Sequence, residues 1–191
     1  MVTSGRPLRA DAQRNRARVL EAAEQLLWER GAGVRTEEVA KAAGVGVGTV
    51  FRHFPTKEAL FSAVYTAGLE RLTAEAEALA AEAKPGEAFF GFFTKVVGES
   101  ERKLALADAL EDAGIDVAQA HADAGAGLRD VLSRLLAQAQ QSGAVRGDIG
   151  VLEVMALLVG ATRAVKQAGA DPGVRARALA VVLDGLRPTS S

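Results

Sequence analysis

Cysteine is absent from this sequence, and histidine occurs only twice. Disulfide bonds, thiolate nucleophiles and thiolate metal sites are therefore excluded. So few histidines give little support to a nucleophile–base pair or a metal site, and we expect no catalytic residue, no metal and no cofactor. No apolar run approaches the length of a membrane span, and the basic N-terminal residues lack the apolar stretch of a secretory signal. We therefore expect a cytoplasmic protein without membrane contact.

Alternating runs of β-branched residues are also missing, whereas alanine and leucine dominate. Nearly half of the 191 residues are apolar, at 49%, which is enough for a substantial hydrophobic core. The length allows one domain or two small ones. Together these features predict an all-α fold.

Positive charge is concentrated in the first third of the chain. Residues 1–61 contain ten Lys/Arg and seven Asp/Glu, a formal charge of +3, whereas residues 62–191 contain thirteen and seventeen, a formal charge of −4. The net charge of −1 therefore conceals a basic N-terminal part suited to face phosphate. This asymmetry is mild and supports other signals without replacing them.

The stretch Thr36–Leu60 predicts two short helices joined by a tight turn. Thr36–Ala43 has helical spacing of apolar residues, and Gly44 is a suitable C-terminal stop. A second helix, Val47–Phe54, ends at Pro55. Two helices with a short glycine-containing turn are typical of a helix-turn-helix unit, whose second helix enters the DNA major groove. The alternative is a helical hairpin within an all-α core.

Polar residues around the second helix favour DNA binding over that alternative. Thr49, Arg52, His53 and Lys57 cluster there. These residue types contact phosphates or base edges in protein–DNA complexes.

The run G-V-G-V-G-T-V-F-R-H-F-P-T-K-E-A-L, at residues 44–60, resembles the DNA-binding signature of the TetR family of bacterial regulators. The preceding helix, roughly Arg14–Gly31, resembles the same family in its R-x-x-V-L-E-A-A-E-x-L-L-x-E-R-G pattern. The resemblance covers about the first third of the chain. It implies a three-helix DNA-binding domain at residues 1–56, with the motif at about 35–54. It also implies a helical effector-binding and dimerisation domain at residues 57–191.

We expect the DNA-binding side chains to lie in and around the motif. Thr36 is expected to cap the first motif helix and to touch a phosphate, Gly48 to allow close approach, and Thr49 to contact a base edge. Arg52 is the candidate for guanine or phosphate, and His53 and Lys57 are candidates for phosphate. The expected set is Thr36, Val47, Gly48, Thr49, Phe51, Arg52, His53 and Lys57.

The chain departs from the family pattern at three of the motif positions. Phe51 stands where the family usually has tyrosine, so a phenolic bond to phosphate is unavailable. Gly46 and Val47 stand where serine or threonine and a polar or basic residue are common, which weakens capping and base contact there. Val47 and Phe51 can instead pack on thymine methyl groups, and Phe51 also on a sugar, while Phe54 belongs to the core.

Breaks and caps predict the remaining helices. Met1–Asp11 is expected to be a flexible arm before the first helix, and Asp148 to cap the helix that starts at Ile149. The predicted segments are helices Lys57–Lys84, Glu87–Leu106, Leu128–Gln141 and Ile149–Gln167, a short helix or loop at Leu110–Ala124 that includes His121, and a last helix from Asp171–Pro172.

Two functions are expected of these C-terminal helices. The last two are more apolar than a small core needs, which predicts a twofold dimer through a four-helix bundle, as the resemblance also implies. The resemblance further implies an effector pocket, although core packing is the alternative for its apolar residues. The candidate pocket residues are Tyr65, Phe89, Phe93, Leu104, Leu132 and Met155.

The sequence with its resemblance therefore predicts a ligand-responsive transcriptional regulator, a repressor rather than an enzyme. It would bind a near-palindromic DNA operator as a homodimer and be released by a small apolar or amphipathic effector. The alternative is a constitutive, architectural DNA-binding protein without an effector. A filled C-terminal core would favour that alternative.

Overall fold

The structure is a computed structural model that describes residues 6–99, 106, 108–112, 114–115, 117–169 and 171–188, with backbone only for 6–9 and 117–124. Regular structure in these ranges is helical throughout, so the predicted all-α fold is confirmed. A 3₁₀ turn, Gly31–Gly33, follows the first helix, and residues 108–112 form a further helical segment. The α-helices are α1 (Arg6–Arg30), α2 (Thr36–Ala43), α3 (Val47–His53), α4 (Lys57–Glu82), α5 (Pro85–Gly98), α6 (Val117–Gln141), α7 (Val151–Gln167) and α8 (Pro172–Gly185).

Local sequence signals explain where several helices begin. Pro85 and Pro172 each occupy the first turn of their helix, where the missing amide is no loss. The Asp171 carboxylate caps α8, accepting from the backbone N–H groups of Gly173 at 2.8 Å and Val174 at 3.3 Å. Thr56 caps α4, since its hydroxyl accepts from the Ala59 N–H at 3.1 Å.

The chain divides into two compact units, and the division falls inside α4. The first unit comprises Met1–Gly68 and Ala105–His121, and the second comprises Leu69–Leu104 and Ala122–Ser191. The predicted domain division between residues 56 and 57 lies earlier in the chain. The first twelve residues of α4 therefore belong to the helix-turn-helix unit rather than to the following one.

The first unit has a continuous apolar core. α1 contributes a stripe of apolar side chains, α2 and α3 pack against this helix, and the start of α4 completes the core. The buried residues of this core are Val19, Leu20, Ala23, Leu27, Val34, Val39, Ala40, Ala43, Val50, Phe54, Leu60, Phe61, Val64, Leu106, Ala109 and Leu110.

The second unit is built around the phenylalanines of α5. Phe89, Phe92 and Phe93 are each only 1% exposed, and α5 packs against α7 and α8. The end of α8 is tied to the loop before α7. There the Arg146 N–H donates to the Leu186 carbonyl at 3.0 Å, and the Arg146 guanidinium donates to the Gly185 carbonyl at 3.3 Å.

Large apolar side chains on α7 and α8 remain outside this core. We call them the α7–α8 apolar face: Leu152, Leu157, Val159, Val174 and Val181, which are between 37% and 72% exposed. No residue of α8 is buried in the single chain, although more than half of that helix is apolar.

Several predicted features of the helices are wrong; one is the end of the helix predicted at Leu106, since α5 ends at Gly98. The arm does not extend to Asp11, because α1 begins at Arg6 and an Asp11–Arg14 ion pair joins successive turns of it. Asp148 does not cap α7, because its carboxylate pairs with the Arg146 guanidinium at 2.6 and 2.7 Å. The predicted short helix or loop at Leu110–Ala124 extends too far, because α6 already begins at Val117, where the helix propensity of the many alanines exceeds the cost of the glycines.

Candidate nucleic-acid interface

The turn between α2 and α3 has the geometry of a helix-turn-helix. Gly44 ends α2 in the left-handed conformation, with φ of 64° and ψ of 39°. The Val45 N–H donates to the Ala40 carbonyl at 3.0 Å, and the Val45 side chain packs against the core of the first unit. Gly46 is extended and α3 starts after it. The predicted turn and the predicted helix starts at Thr36 and Val47 are confirmed.

Two inward side chains attach α3 to the first unit. Val50 is completely buried, and Phe54, directly after the helix, is 3% exposed. The remaining positions are exposed or half-buried, and they include six of the eight predicted DNA-contacting residues: Val47, Gly48, Thr49, Phe51, Arg52 and His53. Because two side chains suffice for packing, most of the helix surface is available to a partner.

Arginines of α1 contact this motif at its turn and at the end of α3. The Arg18 guanidinium donates to the Gly44 carbonyl at 3.4 Å. The Arg16 guanidinium lies over the ring of Phe54, 5.4 Å from its centroid. Neither contact was predicted, because each joins residues far apart in the chain. The only signal in the sequence was the cluster of arginines in α1.

The N-terminus of α2 differs from the prediction. Thr36 is the first helical residue, and the capping position is Arg35, whose backbone is extended. The Glu38 carboxylate accepts from the Arg35 N–H at 3.0 Å and from the Arg30 guanidinium at 2.9 Å. The backbone bond from Arg35, followed by the charges of Arg30 and Arg35, lowers the pKa of Glu38. The predicted cap by Thr36 is therefore wrong. The Thr36 side chain is half-buried, and its contact with a phosphate stays a prediction.

Lys57 is engaged within the chain at the start of α4. Its ammonium donates to the Ala32 carbonyl at 2.5 Å and lies 5.2 Å from the centroid of the Phe61 ring. These contacts tie α4 to the 3₁₀ turn after α1. An ammonium has three donors, so a phosphate contact by Lys57 stays a prediction beside this structural role.

The six candidate pocket residues are distributed over both units. Phe89 and Phe93 lie together in the second unit, with ring centroids 6.5 Å apart, and Leu132 is buried there too, at 2% exposed. Met155 is half-buried on α7, and Tyr65, whose pKa is raised by burial, belongs to the first unit. Leu104 lies outside the described residues, as does the side chain of His121.

Two surface cavities within the described residues lie elsewhere. One of about 210 Å³ is lined by Arg146, Gly147, Asp148 and Pro188. The other, of about 280 Å³, is formed by α1 and α2 and is lined by Arg18, Glu21, Ala22, Gln25, Leu26, Ala42 and Ala43. Neither contains a candidate pocket residue, so the predicted effector pocket stays a prediction.

Comparison with known proteins identifies the family. Residues 19–64, which contain the α2–turn–α3 motif, match the model of bacterial regulatory proteins of the tetR family. Residues 84–188 match the model of the C-terminal domain of SbtR-like transcriptional regulators. The chain belongs to the TetR family. Its motif is thus a DNA-binding motif, and the protein is a transcriptional regulator.

Solved TetR-family structures match over nearly the whole chain. The TetR transcription regulatory protein of Mycobacterium vanbaalenii is 43% identical, with 95% of this chain and 100% of that chain covered and a TM-score of 0.79. A TetR transcriptional regulator of Streptomyces coelicolor is 34% identical, with 92% and 99% covered and a TM-score of 0.73. These matches agree with an N-terminal helix-turn-helix followed by a helical C-terminal part.

A curated relative matches over a shorter stretch. An HTH-type transcriptional regulator of Staphylococcus aureus (strain MRSA252) is 36% identical over 85 residues, which are 43% of this chain and 44% of that relative. The chain thus spans less than half the length of this curated relative. The matching families and relatives are transcriptional regulators, which confirms that the chain is not an enzyme. Within the described residues, no helix combines the length and apolar character that crossing a membrane requires.

Proposed function

We propose that this TetR-family chain is a ligand-responsive repressor that works in the cytoplasm and binds a near-palindromic operator as a homodimer. The observation that carries the DNA-binding mode is the outward surface of α3, where the only buried side chains are those of Val50 and the adjacent Phe54. A helix presented in this way fits the major groove, with its first residues at the base edges.

Individual roles follow from the exposure of the side chains. Arg52 is exposed and carries the only guanidinium on α3, so it is the residue suited to a bidentate contact with guanine or to a phosphate. Thr49 is half-buried near the start of the helix and is placed for a base edge. His53 and Thr36, both half-buried, are assigned to phosphates beside the groove.

The α7–α8 apolar face supports the homodimer. Val181 is 72% exposed, Leu152 is 68% exposed and Val159 is 59% exposed, so much apolar area meets water in the single chain. Two copies related by a twofold axis would cover this face with α7 and α8 of the partner. A dimer also presents two recognition helices to half-sites about 34–36 Å apart, or to a multiple of that spacing.

Effector response is assigned to the apolar region of α4, α5 and α6. An effector that empties the operator must favour the released state strongly, and moving a 1:99 equilibrium to 99:1 requires about 5.5 kcal/mol of differential affinity. Helix α4 supports a role in transmission, since its residues 57–68 lie in the first unit and the remainder lies in the second.

The rival proposal is a constitutive DNA-binding protein of the same family. Phe89, Phe93 and Leu132 are each no more than 2% exposed, as a filled core would require. Titrating small apolar and amphipathic compounds into the protein–operator complex distinguishes the two. Release of the operator DNA by a stoichiometric amount of any of these compounds supports the ligand-responsive repressor. A complex that is insensitive to the whole set favours the constitutive protein.

The first experiment measures binding to the DNA upstream of the protein's own gene beside a scrambled duplex. For specific binding, the logarithm of the binding constant should fall linearly with the logarithm of the salt concentration. The slope is set by the number of phosphates that the protein neutralises. Equal, weak binding to both duplexes would remove the operator assignment for this DNA, and a genome-wide capture of bound DNA would then follow.

Arg52→Ala tests the site on the operator that this assay defines. The loss of operator affinity should be about 1–3 kcal/mol if Arg52 reads a base. Arg129→Ala is the matched control, because Arg129 is an exposed arginine on α6 in the second unit. Wild-type affinity in the Arg52 variant, or an equal loss in both variants, would remove Arg52 from the interface.

A further inference from the structure

Two large apolar side chains stand out on the surface of α3. Val47 is 40% exposed and Phe51 is 45% exposed, and they are four residues apart on a helix. Side chains at this spacing are neighbours, with Cβ atoms about 5–6 Å apart. They form an apolar ridge, which we call the Val47–Phe51 ridge. The packing of α3 does not need it, because Val50 and Phe54 face the core.

Gly48 lies beside this ridge and has no role in the packing of the chain. Its backbone is helical, and a Cβ atom added there would meet nothing within 4 Å. Glycine inside a helix destabilises it by roughly 0.5–1 kcal/mol relative to alanine. The helical backbone therefore does not require glycine at position 48, and no neighbouring atom of the chain requires it either. Its absent side chain instead leaves the surface next to Phe51 and Arg52 open to a partner.

DNA offers one apolar group to such a ridge in the major groove. Among the base edges exposed there, only thymine carries a methyl group, and the other edge groups are donors and acceptors. The ridge length of about 5–6 Å spans one to two base steps of 3.4 Å along one strand. The neighbouring Arg52 and the formal charge of +3 over residues 1–61 suit the surrounding phosphates.

We propose that the Val47–Phe51 ridge reads the C5 methyl groups of one or two neighbouring thymines in each operator half-site. This inference rests on the proposed operator binding and deepens it. Specificity at these positions would come from apolar contact, whereas Arg52 supplies the polar contact one residue further along the helix. Gly48 lets the ridge approach the base edges closely.

The test removes single methyl groups from the DNA. An operator is first selected from a pool of random duplexes by the full-length protein. Each thymine of a half-site is then replaced by deoxyuridine, which keeps every donor and acceptor and deletes only the methyl. Burial of one such carbon corresponds to about a fourfold change in affinity. One or two thymines per half-site should show a three- to fivefold loss, and the others no change.

Protein variants assign the effect to the ridge. In Val47→Ala or Phe51→Ala, deoxyuridine at the sensitive thymine should cost nothing further. Trp28→Ala is the control, since Trp28 is similarly exposed at 41% but lies on α1. It should retain the full effect. Circular dichroism confirms that each variant is folded, which is expected because the side chains removed are exposed.

The outcomes separate the inference from the proposed function. A selected operator whose thymines all tolerate deoxyuridine would overturn methyl recognition and leave operator binding intact. Sensitivity that persists unchanged in both ridge variants would also overturn the assignment to Val47 and Phe51. Failure of the pool to yield any preferred sequence would overturn the operator binding on which the inference depends, and the inference with it.

Discussion

Replacing Gly44 by alanine should destabilise the helix-turn-helix, whereas the same replacement at Gly48 should not. Gly44 has a φ of 64°, in the left-handed region. That conformation is less favourable by roughly 1–2 kcal/mol for a residue with a Cβ. The added Cβ would lie 2.6 Å from a nitrogen of the Arg18 guanidinium, so that flexible side chain must move. Moving it breaks the 3.4 Å bond to the Gly44 carbonyl, a long and exposed bond worth at most about 0.5 kcal/mol.

The expected loss for Gly44→Ala is therefore about 2 kcal/mol. Gly48→Ala adds the same methyl group in helical backbone and open space, so we expect between no change and a gain of about 1 kcal/mol. The pair thus isolates backbone conformation from the chemistry of the substitution.

Urea unfolding followed by tryptophan fluorescence is a suitable assay. The chain has a single tryptophan, Trp28, and it lies in the same unit as Gly44. Protein concentration must be held fixed, because an associating protein has a concentration-dependent midpoint. In an Arg18→Ala background, the loss caused by Gly44→Ala should shrink to the backbone strain alone. Equal midpoints for Gly44→Ala and Gly48→Ala would refute the left-handed turn as the reason for Gly44.

Three further predictions concern stability, pH and association. Asp171→Ala should lower the free energy of unfolding by about 1 kcal/mol, because it removes the cap of α8. The Gly173 amide should then exchange its hydrogen faster, and unchanged exchange would argue against the cap. The lowered pKa of Glu38 means that its carboxylate stabilises α2 above the ordinary value of 4.5, and that this contribution is lost as the pH falls through the lower, folded-state pKa. The stability difference between wild type and Glu38→Gln should therefore be present at neutral pH and vanish in acid, which denaturation at several pH values measures. Val181→Glu should convert the proposed dimer to a monomer in light scattering, whereas Glu87→Lys on α5 should not; a dimer in both would exclude the α7–α8 apolar face as its interface.

The helix-turn-helix was predictable because its signals are local. Gly44 and Pro55 mark the ends of two short helices, and the spacing of apolar residues defines their inner faces. The family resemblance then identified the unit as DNA-binding. The inward positions of Val50 and Phe54 agree with this pattern.

Features that depend on tertiary contacts were not predictable from the sequence. The caps by Thr36 and Asp148 were inferred from residue type alone. In the structure, a different side chain caps α2, and an ion pair engages the Asp148 carboxylate. Glu38 closes the start of α2, and Arg146 draws Asp148 away from α7. Arg146 is itself held by the end of α8, 39 residues further along the chain, which no local pattern indicates.

The attachment of α3 by two side chains has an evolutionary consequence. Since Val50 and Phe54 carry the packing, the other positions can change with little cost to folding. A duplicated gene can therefore acquire a new target sequence through a few substitutions on this helix while its product remains folded throughout. The same separation makes α3 a suitable place for a library randomised at Val47, Gly48, Thr49, Phe51 and Arg52.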